Sequence, residues 1–209
     1  MKIKERTKKI LENLFVDYPV LLSLKNEIYS AYEIIYNCYT NKKKTLICGN
    51  GGSASDCEHI VGEFMKGFML KRPVSAEISS AKKLEKLQAP LRSISLVSHT
   101  SLITAILNDI GAEYIFAQQV LGYADQGDVL IALSTSGNAE NVYLAAEAAR
   151  ALKCKTIAIT GISGGKLAEY GLCDCNIKLP SKQTYKIQEY TLPLYHTLCA
   201  MIESEFFEI

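Results

Sequence analysis

Short, nearly continuous apolar runs alternate along the chain with longer stretches in which apolar residues recur at helical spacing. Thr45–Cys48, Ser93–Val97, Val129–Leu133, Thr156–Thr160 and Asn176–Leu179 have the length and composition of strands. The first four carry few polar positions, as parallel strands covered on both faces do. Helical patterns separate them over about 54–68, over 101–121 with a break near Asp109–Gly111, and over 138–152, with a short turn near Lys166. A helical region (1–43) precedes the first strand, and a helix over about 184–207, within the C-terminal segment 181–209, follows the last. This order predicts one domain, with 44–180 as a doubly wound α/β core whose parallel sheet lies between helical layers. Leu70–Pro90 fits the scheme poorly. It is polar, bracketed by prolines and rich in lysine, and is expected to be a solvated surface excursion, with a lid over the site as the alternative.

Composition narrows the function. The 209 residues are 48% hydrophobic and 22% charged with a net charge of +1, so bulk electrostatics points to neither nucleic acid nor membrane. The N-terminal MKIKERTKKILENL is amphipathic without an apolar leader core, and no apolar run reaches the roughly 20 residues of a membrane span. The reading is cytoplasmic, and the seven cysteines are expected to be structural thiols.

Two strand ends run into small, hydroxyl-rich turns. The first is Gly49-Asn50-Gly51-Gly52-Ser53-Ala54-Ser55-Asp56, which opens a helix; the second is Ser134-Thr135-Ser136-Gly137-Asn138. Glycines let backbone amides face a ligand, the helix dipole favours an anion, and Ser53 or Ser55 is expected to cap the helix. Adjacent hydroxyls add neutral donors, which suits a phosphate in a protein without excess positive charge. Neither turn carries a dinucleotide or P-loop signature.

These turns, together with LNDIGAEYIFAQQV, TGISGGKLAE and KIQEYTLPLYH, resemble the SIS (sugar isomerase) domain family and in particular its phosphoheptose isomerases. The resemblance implies a three-layer αβα sandwich of flavodoxin-like winding with a five-stranded parallel sheet, and a homotetramer with active sites between subunits. It implies zinc, one ion per subunit, on His59, Glu63, Gln188 and His196. Spacing alone says less: His59 and Glu63 share a helix face, a common surface arrangement. Eight residues of helix separate Gln188 from His196, with Pro193 between them expected to kink the helix.

By the same resemblance Asn50, Gly51 and Gly52 bind substrate, Asn108 and Asp109 contact sugar hydroxyls, and Ser134, Thr135 and Ser136 cradle the phosphate. Ser53, Ser55, Glu63 and Gln188 complete the substrate set. Glu63 is the base at C1/C2 and His196 its acid–base partner, acting through an enediol(ate). Three positions depart from the family: Ala139 replaces a serine, Gly67 an arginine for which Lys66, Lys71 or Arg72 could substitute, and Tyr185 an aspartate. His99, at the ligand end of the second strand, is expected to be structural or exposed, with a substrate contact as the alternative. The implied reaction converts sedoheptulose 7-phosphate to D-glycero-D-manno-heptose 7-phosphate, the entry step to nucleotide-activated heptose. The alternatives are another ketose phosphate and a non-catalytic SIS adaptor or sugar-phosphate sensor. Apolar residues Leu14, Tyr18, Leu21, Leu22, Leu24 and Ile28 add an expectation of burial against another subunit.

Overall fold

Five short apolar segments pair in parallel and form the centre of the molecule. The computed structural model describes residues 3–81, 83–169 and 171–207. The strands are β1 (Thr45–Gly49), β2 (Ser93–Ser95), β3 (Val129–Ser134), β4 (Lys155–Gly161) and β5 (Cys175–Leu179), in the order β2-β1-β3-β4-β5. The helices are α1 (Glu5–Asp17), α2 (Lys25–Thr40), α3 (Gly52–Met65), α4 (Ala76–Ser79), α5 (Thr100–Asp109), α6 (Ala117–Tyr123), α7 (Glu140–Ala151) and α8 (Thr184–Phe206).

Because strand side chains alternate, each strand feeds two cores. Ile47, Ile131, Leu133, Ile157, Ile159 and Ile177 pack with α1, α2, α3 and α8. Leu46, Cys48, Leu130, Ala132 and Ala158 pack with α6 and α7 on the other face. The result is the expected three-layer αβα sandwich. The strand order reverses direction between β1 and β3, the place where open parallel sheets bind ligands beyond their strand ends.

The N-terminal helical region consists of two helices joined by a 3₁₀ turn at Pro19–Leu24. Leu14, Leu21 and Ile28 are buried within this one chain, whereas Tyr18 and Leu22 stay exposed. α8 runs from Thr184 to Phe206 with Pro193 inside it. Neither Ser53 nor Ser55 caps α3. The cap is Gly51 at φ +57°, and both serines already lie inside the helix, past the position from which a side chain can cap it.

The excursion after α3 is mixed. Residues 75–81 and 83–88 are exposed, as expected of a solvated segment. Its start is anchored in the core by Arg72. That guanidinium donates to Glu203 Oε1 (2.7 Å) and to the carbonyls of Phe64 (2.6 Å) and Glu63 (2.8 Å). Arg72 is therefore committed to structure and does not stand in for the missing arginine at Gly67.

Candidate active site

Gly49 of β1 pairs with Leu133 of β3, so the two hydroxyl-rich turns emerge side by side. Between them is a cleft of about 320 Å³ lined by Asn50, Gly51, Gly52, Ser53, Leu133, Ser134, Thr135, Ser136, Ala139, Thr184 and Gln188. The glycine conformations matter at two places. Gly51 takes positive φ to turn the chain into α3, and Gly137 (φ +69°) presses so closely on Gly164 that a side chain would collide with its carbonyl. Asn50 and Asn141 exchange amide hydrogen bonds of 2.9 and 3.0 Å, tying the β1–α3 loop to α7. Ser136 Oγ accepts from the Asn138 amide at 3.1 Å, which rounds the second turn. A cleft of uncharged donors at a helix N-terminus is suited to a phosphate ester.

Farther along α3, a second cluster forms. His59 Nε2 lies 3.2 Å from Glu63 Oε1 and 3.3 Å from His196 Nε2. One ligand atom from each residue falls within 4.8 Å of the others, so α3 and α8 of a single chain supply all three. Glu63 is buried, and its Oε2 meets Lys66 Nζ at 3.3 Å. Burial, and after it the neighbouring His59, lower the pKa of His196 below the ordinary imidazole value. That keeps the ring neutral near pH 7, the form that ligates a metal or accepts a proton. The other nitrogen of His59, Nδ1, is 2.9 Å from the hydroxyl of Tyr195. Two imidazoles and a carboxylate converging at a half-exposed edge match the chemistry of a three-ligand zinc site that keeps a position open.

Gln188, eight residues before His196 on α8, lies over Gly52, where a Cβ would meet its Nε2 at 2.5 Å. Ser55 is exposed on α3. Asn108 and Asp109 sit at the exposed end of α5, bonded to each other at 2.7 Å, outside the cleft. His99 packs on Tyr123 with ring centroids 5.4 Å apart and does not line the cleft. Residues that sequence reasoning passed over are Asn141, Thr184, Tyr195 and Glu203. Only Tyr195 carried a signal, as a polar aromatic adjacent to a predicted ligand.

The fold and this pair of sites define an α/β protein with a cleft of uncharged donors at one end of α3 and a histidine–carboxylate cluster farther along it. The chain belongs to the SIS domain family, whose model matches residues 19–161, and within it to the phosphoheptose isomerases. It is 41% identical over 199 residues to the phosphoheptose isomerase of a Nitratiruptor species, covering 95% of this chain and 97% of that one. Identity is 39% to phosphoheptose isomerase 2 of Campylobacter jejuni, over 95% of this chain and 88% of that one. Among solved structures, the phosphoheptose isomerase of Francisella tularensis superposes with a TM-score of 0.76 at 30% identity, covering 95% and 96% of the two chains. That of Neisseria gonorrhoeae gives 0.72 at 32% identity, covering 95% and 92%. The chain is therefore an enzyme of the aldose–ketose isomerase kind. No helix among the described residues is long and apolar enough to cross a membrane.

Proposed function

We propose that the protein isomerises sedoheptulose 7-phosphate to D-glycero-D-manno-heptose 7-phosphate, the first step toward nucleotide-activated heptose, in the cytoplasm. One observation carries the reading: the helix whose N-terminus forms the phosphate cleft also bears His59 and Glu63. Seven residues of α3, roughly 10 Å of rise, separate Gly52 from His59, so a phosphate anchored at one point leaves the far carbons of a sugar at the cluster.

Moving a carbonyl between C1 and C2 requires removal of a carbon-bound proton, its return to the neighbouring carbon, and proton exchange between the two oxygens. Glu63 takes and returns the carbon proton through Oε2, the oxygen that faces Lys66. His196, held neutral, serves the oxygens, and the intermediate is an enediol(ate). The cleft amides and the hydroxyls of Ser134, Thr135 and Ser136 hold the phosphate, while Asn50 keeps the loop in place through Asn141.

His59, Glu63 and His196 would hold zinc, one ion per subunit, with Gln188 as the further ligand that family membership suggests. Bound zinc supplies positive charge that polarises the sugar oxygens and stabilises the enediol(ate). The working form is a homotetramer in which Asn108 and Asp109, exposed at the end of α5, reach sugar hydroxyls across a subunit boundary. Replacing Glu63 by Gln tests the assignment. Turnover should fall by more than about a hundredfold while binding of the phosphate ester persists; a variant that keeps most of its activity contradicts it.

A further inference from the structure

Tyr195 immediately precedes the predicted ligand His196, yet its ring turns to the opposite partner. It is 2% exposed, and its hydroxyl is 2.9 Å from His59 Nδ1. The two rings meet edge-on with centroids 5.5 Å apart. Asp56, on α3 one turn before His59, is half-buried, and after burial its charge is the next cause that raises the pKa of the Tyr195 hydroxyl.

A neutral imidazole has one N–H and one lone pair, and only the lone pair can bind a metal. With Glu63 and His196 gathered at Nε2, the useful form of His59 carries its proton on Nδ1. A tyrosine hydroxyl has both an acceptor oxygen and one proton to donate. We infer that Tyr195 is a positioning residue for His59: its oxygen accepts Nδ1–H while its own proton goes to the Asp56 carboxylate, so that the Nε2 lone pair is presented to the metal beside Glu63 and His196. Partners of this kind fix both the tautomer and the ring orientation of ligating histidines. The Tyr195 ring is itself held by packing in the core that α3 and α8 share.

The inference rests on the reading that His59, Glu63 and His196 hold zinc, and the test separates the two. Zinc affinity of the whole protein is measured by competition with a chromophoric chelator for wild type, Tyr195→Phe and Asp56→Asn. Phenylalanine preserves the ring and its packing, so thermal unfolding of the metal-free variant should match wild type. Its zinc affinity should fall on the order of 10- to 100-fold, with a smaller loss for Asp56→Asn, whose amide oxygen still accepts. In cobalt-substituted wild type, the His59 Nδ1–H should give a shifted, slowly exchanging proton signal, assigned by its absence in His59→Ala. That signal should broaden by solvent exchange in Tyr195→Phe. Tight wild-type binding with equal affinity and an unchanged signal in Tyr195→Phe overturns the inference alone. A wild-type protein that binds no zinc overturns the metal reading and the inference with it.

Discussion

Arg72 and Glu203 meet at 2.7 Å with neither side chain more than 1% exposed. Glu203 also accepts the amides of Phe68 (2.8 Å), Met69 (2.7 Å) and Leu70 (3.1 Å), while Arg72 takes the carbonyls of Glu63 and Phe64. The pair thus closes the C-terminal end of α3 at the residue that carries the proposed base. Arg72→Met should cost about 3–5 kcal/mol, because a buried carboxylate loses its counter-charge. Removing Glu203 as well should not restore stability, since three amides would then lack their acceptor. Urea unfolding of the single and double variants measures both; recovery in the double variant would show that the amide contacts contribute little.

Gly52 and Gln188 make the cleft sensitive to one methyl group. A Cβ at Gly52 would meet the end of the Gln188 side chain at 2.5 Å, and a flexible amide can move away. Gly52→Ala should therefore leave thermal stability nearly unchanged, raise KM and, because the Gln188 amide it displaces is a proposed zinc ligand, lower kcat as well. A fall in kcat at constant KM would place Gly52 nearer to the chemistry than the cleft geometry does.

All seven cysteines are buried as free thiols. Burial pushes the thiols of Cys38 and Cys173 up to about 12, and those of Cys154 and Cys175 to about 11. The unfolded chain releases these protons near the ordinary thiol value of about 8.5. The folded state therefore holds more protons above that pH, and their contribution to stability is full below pH ~8.5 and declines as pH rises toward 11–12. Denaturant midpoints measured from pH 7.5 to 10.5 should fall, and thiol reagents should label the native protein slowly and the unfolded protein at seven positions. Rapid labelling of the native protein would contradict the burial.

Val16, Val20 and Leu22 are 75%, 44% and 55% exposed around the turn that joins α1 to α2. Such a patch is costly in water unless another subunit covers it. Light scattering should give four times the chain mass, and Leu22→Glu should dissociate the assembly without unfolding the subunit. A wild-type monomer would refute the tetramer.

The sheet was legible because β1, β3 and β4 are apolar on both faces, and the break near Asp109–Gly111 does separate α5 from α6. The cleft between the two strand ends was legible because most of its lining residues sit in two contiguous turns. Three kinds of feature were not. The α3 cap depends on one backbone angle at Gly51, which a row of serines nearby obscured. The Arg72–Glu203 pair joins residues 131 positions apart, and each looks like an ordinary surface charge in sequence. Tyr195 reads as core by its spacing, and only the fold shows its hydroxyl against His59. The convergence of His59, Glu63 and His196 came from family resemblance, since helical spacing offered nothing to distinguish His59 and Glu63 from a surface pair.

The most direct test of the central claim follows sedoheptulose 7-phosphate by NMR with the protein as purified, after metal stripping, and after return of zinc. A zinc-dependent isomerase gives resonances of D-glycero-D-manno-heptose 7-phosphate with the purified protein, loses them on stripping and regains them with zinc. A protein that binds the phosphate ester yet leaves the sugar unchanged in all three states would contradict the claim.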